Sequence, residues 1–219
     1  MTNIQKKLEH FFHLKLDELK ANNIWLGAVE RLERRKEEIL RKAGQYRYKD
    51  QSLLPFLFVI GPQVRSFHDQ LQMVPGSSDS INPLHIADQV PRDEVATVRV
   101  IYGISEIKEA AGQRPKTALE TIRNANWRPK QKRYCGPNKN YIEITTWDLL
   151  AIGRELNLLA NERIVATSSI VSGLHASERA HPCLMRKSGG GLHAFSIGEY
   201  ADDENLHYFA FRERSNIFL

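Results

Sequence analysis

The densest chemistry in this sequence lies in residues 123–139. Six cations stand there, Arg123, Arg128, Lys130, Lys132, Arg133 and Lys139, with no acidic residue among them. Trp127 and Tyr134 are interleaved with them. Lysine and arginine neutralise phosphates and release condensed counterions, and aromatic faces stack on unpaired bases. Asn124, Asn126, Asn138 and Asn140 add amides that both donate and accept. The pattern points to a polyanionic partner, a nucleic acid or an acidic protein. The plainer reading is a solvated basic loop with Trp127 turned into the core. Asp202, Asp203 and Glu204 would then neutralise it from within the chain.

A second constellation combines His175, His181, His193 and His207 with Cys183. Imidazole and thiolate together suit zinc, and a cysteine near a histidine suits nucleophilic catalysis. His181 and Cys183 are two apart, so on a strand both face one side. The other spacings fit no standard zinc site, and no metal or cofactor is expected. Cys183 sits in an apolar stretch, where burial makes a thiol inert. Cys135, beside Tyr134 and close to Arg133, is the more electropositive thiol but has no base near it in sequence. Ser188-Gly189-Gly190-Gly191 offers backbone N–H groups to a phosphate, but the Lys-Ser/Thr and helix of a P-loop do not follow. The hydroxyl-rich Thr167-Ser168-Ser169 lacks the Gly-x-Ser-x-Gly elbow of a hydrolase.

These groups must be held by a core. The most apolar run is Leu53-Leu54-Pro55-Phe56-Leu57-Phe58-Val59-Ile60, stopped by Gly61-Pro62. Its aromatic and β-branched content predicts a central strand buried on both faces, with Pro55 limiting the ladder to Phe56 onward. Ahead of it, Ile4, Leu8, Phe11, Phe12, Leu16 and Leu19 mark one amphipathic helix, opened by a Thr2/Gln5 capping box. Asn22-Asn23 interrupts it. Trp25, Val29, Leu32 and Ile39 mark a second helix, with Glu37/Arg41 and Glu38/Lys42 at favourable spacing and Gly44 as its stop. The charge run of this hairpin reads as a solvated face. If the apolar stripe were left uncovered, the hairpin would instead dock a second copy.

Downstream, Val64, Phe67 and Leu71 predict a short helix, and residues 75–80 a loop. Residues 95–102 predict a strand ending at Gly103, after which Ser105 caps a short helix. Pro115 opens another, running to about Asn126. Residues 141–144 read as a short strand. Thr145 or Thr146 caps a helix with Asp148 in its first turn and Leu149, Ile152, Leu156 and Leu159 on its face. From Ile164 on, short apolar runs separated by Gly189-Gly190-Gly191 and Asp202-Asp203-Glu204-Asn205 predict an antiparallel meander.

At 219 residues the chain can bury a sizeable core. Its net charge of +5 leans toward acidic partners. Two distant cysteines form no disulfide framework, so a reducing cytoplasm is expected. The N-terminus lacks the apolar core of a secretory signal, and no run approaches the roughly 20 apolar residues that span a bilayer, so no membrane association is expected.

The order of parts resembles a bacterial protein family of unknown function. The resemblance rests on Leu54-Pro55-Phe56 with Val59, Thr145-Thr146-Trp147-Asp148, Arg179-Ala180-His181-Pro182-Cys183-Leu184 and the glycines 189–191. It covers most of the chain as layout, through short motifs. The family's Gly-x-x-Ser-Cys-like ending has no counterpart in Phe209-Ala210-Phe211-Arg212-Glu213-Arg214. The resemblance implies a soluble bacterial protein of mixed fold and assigns no reaction or site.

The sequence therefore predicts an α+β protein. Residues 1–45 form an N-terminal helical hairpin extension. Residues 46–219 form an α+β domain whose mixed or antiparallel sheet carries helices on one face. The expected function is non-enzymatic binding of a protein or nucleic acid through residues 123–139. The alternatives are a small enzyme using Cys183 and nearby histidines, and a homo-oligomer assembled through the N-terminal helices.

Overall fold

The apolar run forms a strand, as its composition predicts. A computed structural model of the chain describes residues 3–24, 26–44, 54–74, 98–107, 141–155, 163–166, 169, 171–172, 179–186, 193–198 and 208–213. Strand β1 spans Leu54–Val59 and pairs antiparallel with β2, Arg99–Ile107. Leu54 lies opposite Ile104, and Phe56, Leu57, Phe58 and Val59 lie opposite Tyr102, Ile101, Val100 and Arg99.

Side chains alternate across this ribbon and feed two cores. Phe56, Phe58 and Ile60, with Val98, Val100 and Tyr102, pack under helices α1 (Asn3–Ala21), α2 (Leu26–Arg34) and α3 (Lys36–Ala43). Leu57, Val59 and Ile101 pack under α4 (Phe67–Gln72) and α5 (Thr146–Gly153). Both faces of β1 are dry, which is why its sequence is a continuous apolar run and not an alternating one. This corrects the expectation of helices on one face only. Among the described residues β1 pairs with β2 alone.

Helix α1 buries Leu8, Phe12, Leu16 and Leu19, spaced by four and three. Its aromatics meet those of β1. Phe11 lies edge-on to Phe56 at 5.1 Å, and Phe12 edge-on to Phe58 at 5.8 Å. The break at Asn22-Asn23 is a Schellman motif. Asn23 takes a positive φ of 54°, Asn23 N donates to Lys20 O, and Ile24 N donates to Leu19 O. Ile24 and Leu19 are buried in the same core, completing the motif's hydrophobic contact. The second predicted helix is two, α2 and α3, divided at Arg35, whose guanidinium bonds Glu38. Of the predicted spaced-four pairs, Glu38 and Lys42 meet at 2.9 Å. Gly44 ends α3 with a helical φ of −66°, not the left-handed turn expected of a stop glycine.

Strand β2 continues past Gly103, where a helix was predicted. Ser105, Glu106 and Ile107 pair with Phe211, Ala210 and Phe209 of β8, Tyr208–Glu213. A capping preference of one serine is worth less than three rungs of ladder. The other strands are β3 (Tyr141–Glu143), β4 (Arg163–Val165), β5 (Val171–Ser172), β6 (Arg179–Arg186) and β7 (His193–Gly198). The order is β1-β2-β8-β4-β6-β5, with β3 on β8 and β7 on β6. Pairing is antiparallel except between β4 and β8, so the described part is α+β with a mixed sheet.

Helix α5 opens with the predicted Thr145. The Thr145 hydroxyl accepts from Asp148 N, and the Asp148 carboxylate accepts from Thr145 N, a reciprocal capping box. Every residue from Thr146 to Gly153 is buried, so α5 is a core helix with no wet face. Gly153 lets it approach closely: an added Cβ would lie 2.9 Å from Val74 and 3.1 Å from Leu184. The predicted loop at residues 75–80, the helix from Pro115 and the glycines 189–191 lie outside the described residues. Among the described residues no helix is long and apolar enough to cross a membrane.

Phe58 is the natural probe of this arrangement, since it touches both Phe12 and Phe56. Phe58→Ala is expected to lower the unfolding free energy by about 3–5 kcal/mol, the range for emptying a buried aromatic site. Urea titration measures it, and a loss under about 1 kcal/mol would show that β1 is not core.

Candidate functional site

The eight residues of the basic segment, Arg123, Trp127, Arg128, Lys130, Lys132, Arg133, Tyr134 and Lys139, lie outside the described residues. Their anchors do not. Strand β2 ends with Ile107 opposite Phe209, near the start of β8. Strand β3 begins with Tyr141 opposite Glu213, at the end of β8. Phe209 and Glu213 are four residues apart along one strand, about 13 Å at ~3.3 Å per residue. The chain that carries the basic segment therefore leaves and rejoins the sheet on the same strand.

The histidine–thiol constellation divides. His175 and His207 lie outside the described residues. His181 and His193 belong to the β6–β7 ladder, but His181 pairs with Gly198 and His193 with Arg186, at opposite ends. Five residues of strand separate these rungs, about 16 Å. The ladder thus holds the two imidazole-bearing positions apart. Cys183 lies between β4 and β7, opposite Val165 and Ser196, and is 1% exposed. Among the described residues, no three histidine, cysteine, aspartate or glutamate side chains are grouped to hold a metal ion.

Two charged clusters appear that sequence reasoning missed. The first sits where α5 starts. Arg99, on the α5 side of β2, donates from Nη2 to Asp148 Oδ1 at 2.5 Å. The other carboxylate oxygen of Asp148 accepts from the Thr145 amide and hydroxyl. Thr146 N donates to Ser169 Oγ at 2.9 Å. Asp148 is fully buried and holds the start of α5 through these hydrogen bonds.

The second cluster lies beside β1. Arg154 Nη2 donates to Phe58 O at 2.6 Å, and Gln70 Nε2 donates to Ile60 O at 3.1 Å and to Arg65 O at 2.9 Å. Lys15 of α1 bridges Glu18 at 2.7 Å and Glu155 beyond the end of α5. Arg65 donates to Asn22 O and to Met73 Sδ. Glu155 is 7% exposed. Burial pushes its carboxyl above the usual range, against the pull of Lys15. Burial also lowers the Arg154 pKa, while Glu18 and Glu155 oppose that. Arg154 and Glu155 fall inside the helix predicted from Leu149 to Leu159, which ends at Gly153 in the structure, and nothing in the sequence links Glu155 to Lys15, 140 positions earlier.

Comparison with known proteins finds no matching family model, no matching curated protein and no matching solved structure.

The sign of the Glu155 effect is testable. Its pKa is raised in the folded state, so its contribution to stability is fully present below the ordinary value of 4.5 and is lost as pH rises through the folded value. Glu155→Gln removes that loss. In urea titrations from pH 4 to pH 8, the variant should gain stability relative to wild type as pH rises. Parallel curves would show that Glu155 is not buried as a charge.

Proposed function

We propose that this chain is a non-enzymatic binding module for a polyanion, with single-stranded nucleic acid as the partner its chemistry favours. Arg123, Arg128, Lys130, Lys132, Arg133 and Lys139 neutralise phosphates, and Trp127 and Tyr134 stack on bases. The supporting observation is the tether: β2 and β3, which bracket residues 108–140, both pair with β8. The two strands that bracket the segment are thus held by a common neighbour. Fixing the ends reduces the entropy lost on binding. We place the protein in the cytoplasm, on its cysteine usage.

The described geometry gives less support to the alternatives. A Cys183 nucleophile requires an accessible thiol, and Cys183 lies inside the sheet. Assembly through the N-terminal helices requires a bare apolar stripe. The stripe of α1–α3 is instead covered by Phe56, Phe58, Val98, Val100 and Tyr102.

Replacing Arg128, Lys130, Lys132 and Arg133 together with Ala tests the proposal. Fluorescence anisotropy with a labelled single-stranded oligonucleotide should show affinity falling at least about tenfold. The slope of log affinity against log salt should become shallower by about 3, four contacts at ~0.7 each. The melting temperature should hold. An unchanged slope, or a large fall in melting temperature, overturns the proposal. Stronger binding to polyglutamate than to the oligonucleotide would point to an acidic protein surface.

A further inference from the structure

Side-chain contacts tie the C-terminal half of α1 to the end of α5 at one corner. Lys15 of α1 pairs with Glu155, just beyond α5. Arg154, beside Glu155, donates to Phe58 O and so fixes that end of α5 to β1. Arg65, ahead of α4, donates to Asn22 O just beyond α1. The helix held there covers an apolar face. Phe11 and Phe12, one turn before Lys15, pack edge-on against Phe56 and Phe58. The Lys15 ammonium lies 5.6 Å from the centre of the Phe11 ring.

One ammonium serves two carboxylates at this corner. Lys15 Nζ lies 2.7 Å from Glu18 Oε2 and also contacts Glu155 Oε1. Glu18 is partly exposed and meets water, whereas Glu155 is buried. A buried carboxylate ionises at the cost of its hydration, so burial favours a proton on Glu155. That proton removes the buried charge and leaves Lys15 to Glu18. The charges acting on Glu155 are Lys15 and Glu18 from α1 and Arg154 beside it, and Arg65 acts in turn on Arg154. Lys15 and Arg154 favour the ionised carboxylate, Glu18 and burial favour the neutral one, and burial is the largest influence.

We propose that the Lys15–Glu155 pair is a proton-sensitive latch that seats the C-terminal half of α1 on the end of α5. With Glu155 neutral, α1 stays seated whether or not Lys15 is engaged. With Glu155 ionised, seating depends on the Lys15 ammonium, since a buried charge left without its partner is strongly destabilising. The latch is tight in acid and loosens as pH rises through the folded value of the Glu155 carboxyl. The Arg65 contact with Asn22 O involves no carboxylate and holds the end of α1 in place. Lifting the Lys15 turn draws Phe11 and Phe12 away from Phe56 and Phe58.

Hydrogen exchange of the full chain, corrected for intrinsic rates, tests the latch through the amides of residues 15–22. In wild type their protection should fall from pH 4 to pH 8 by more than that of residues 99–102 in β2. Lys15→Met keeps the stem and removes the charge. It should lose at least about tenfold more protection in α1 at pH 8 than at pH 4, the sense expected of a buried carboxylate deprived of its cation. Adding Glu155→Gln to Lys15→Met should restore most of the loss at pH 8. If Lys15→Met does not fold at pH 8, the double variant decides at that pH: folding upholds the latch, and failure to fold overturns it. Equal losses in Lys15→Met at both pH values would reduce Lys15 to packing and overturn the proposal. Absence of rescue by Glu155→Gln, or a wild-type change spread evenly over α1 and β2, would overturn it as well.

Discussion

Residues 56–60 are buried on both faces, and most of the described architecture answers that demand. Each of these five apolar side chains is 4% exposed or less, and exposing them to water is costly. One helix layer covers only one face of a ribbon, so a second layer is required. Helices α1–α3 supply one and α4–α5 the other. Strand β2 pairs with β1 through backbone groups. The Phe58 and Ile60 carbonyls also accept from Arg154 and Gln70.

The buried charges follow from this division. Asp148 is needed at the first turn of α5 for its capping box, and α5 is dry all round. A carboxylate in such a place requires a cation, and Arg99 on β2 is that cation. Glu155 stands in a different position. It is close to Lys15, yet burial dominates and its carboxyl is pushed upward. Asp148 is held by three donors and Glu155 has the Lys15 ammonium alone among the contacts described for its side chain. Two buried carboxylates at opposite ends of one helix thus carry different strain.

Legibility in the sequence followed the range of the interaction. The Schellman break at Asn23, the Thr145–Asp148 capping box and the Glu38–Lys42 pair span five residues or fewer, and spacing rules reach that far. The double burial of β1 was legible because an unbroken apolar run has no solvated face. The helix expected after Ser105 failed because β8, a hundred residues later, takes up residues 105–107 as strand. Local propensity had no term for that partner. Lys15–Glu155 and Arg99–Asp148 were hidden for the same reason: two charges gain meaning only when tertiary structure brings them together.

The same reasoning bears on the basic segment. Within the described frame, the buried carboxylates Asp148 and Glu155 already hold cations of their own, Arg99 and Lys15. Glu38 is likewise shared between Arg35 and Lys42, which hold its pKa at about 2. These anions are committed within the frame. Six cations stand in seventeen consecutive residues with no acidic residue among them, the density on which the proposed polyanion reading rests. Their local density, more than the modest net charge of +5, is what a polyanion would meet.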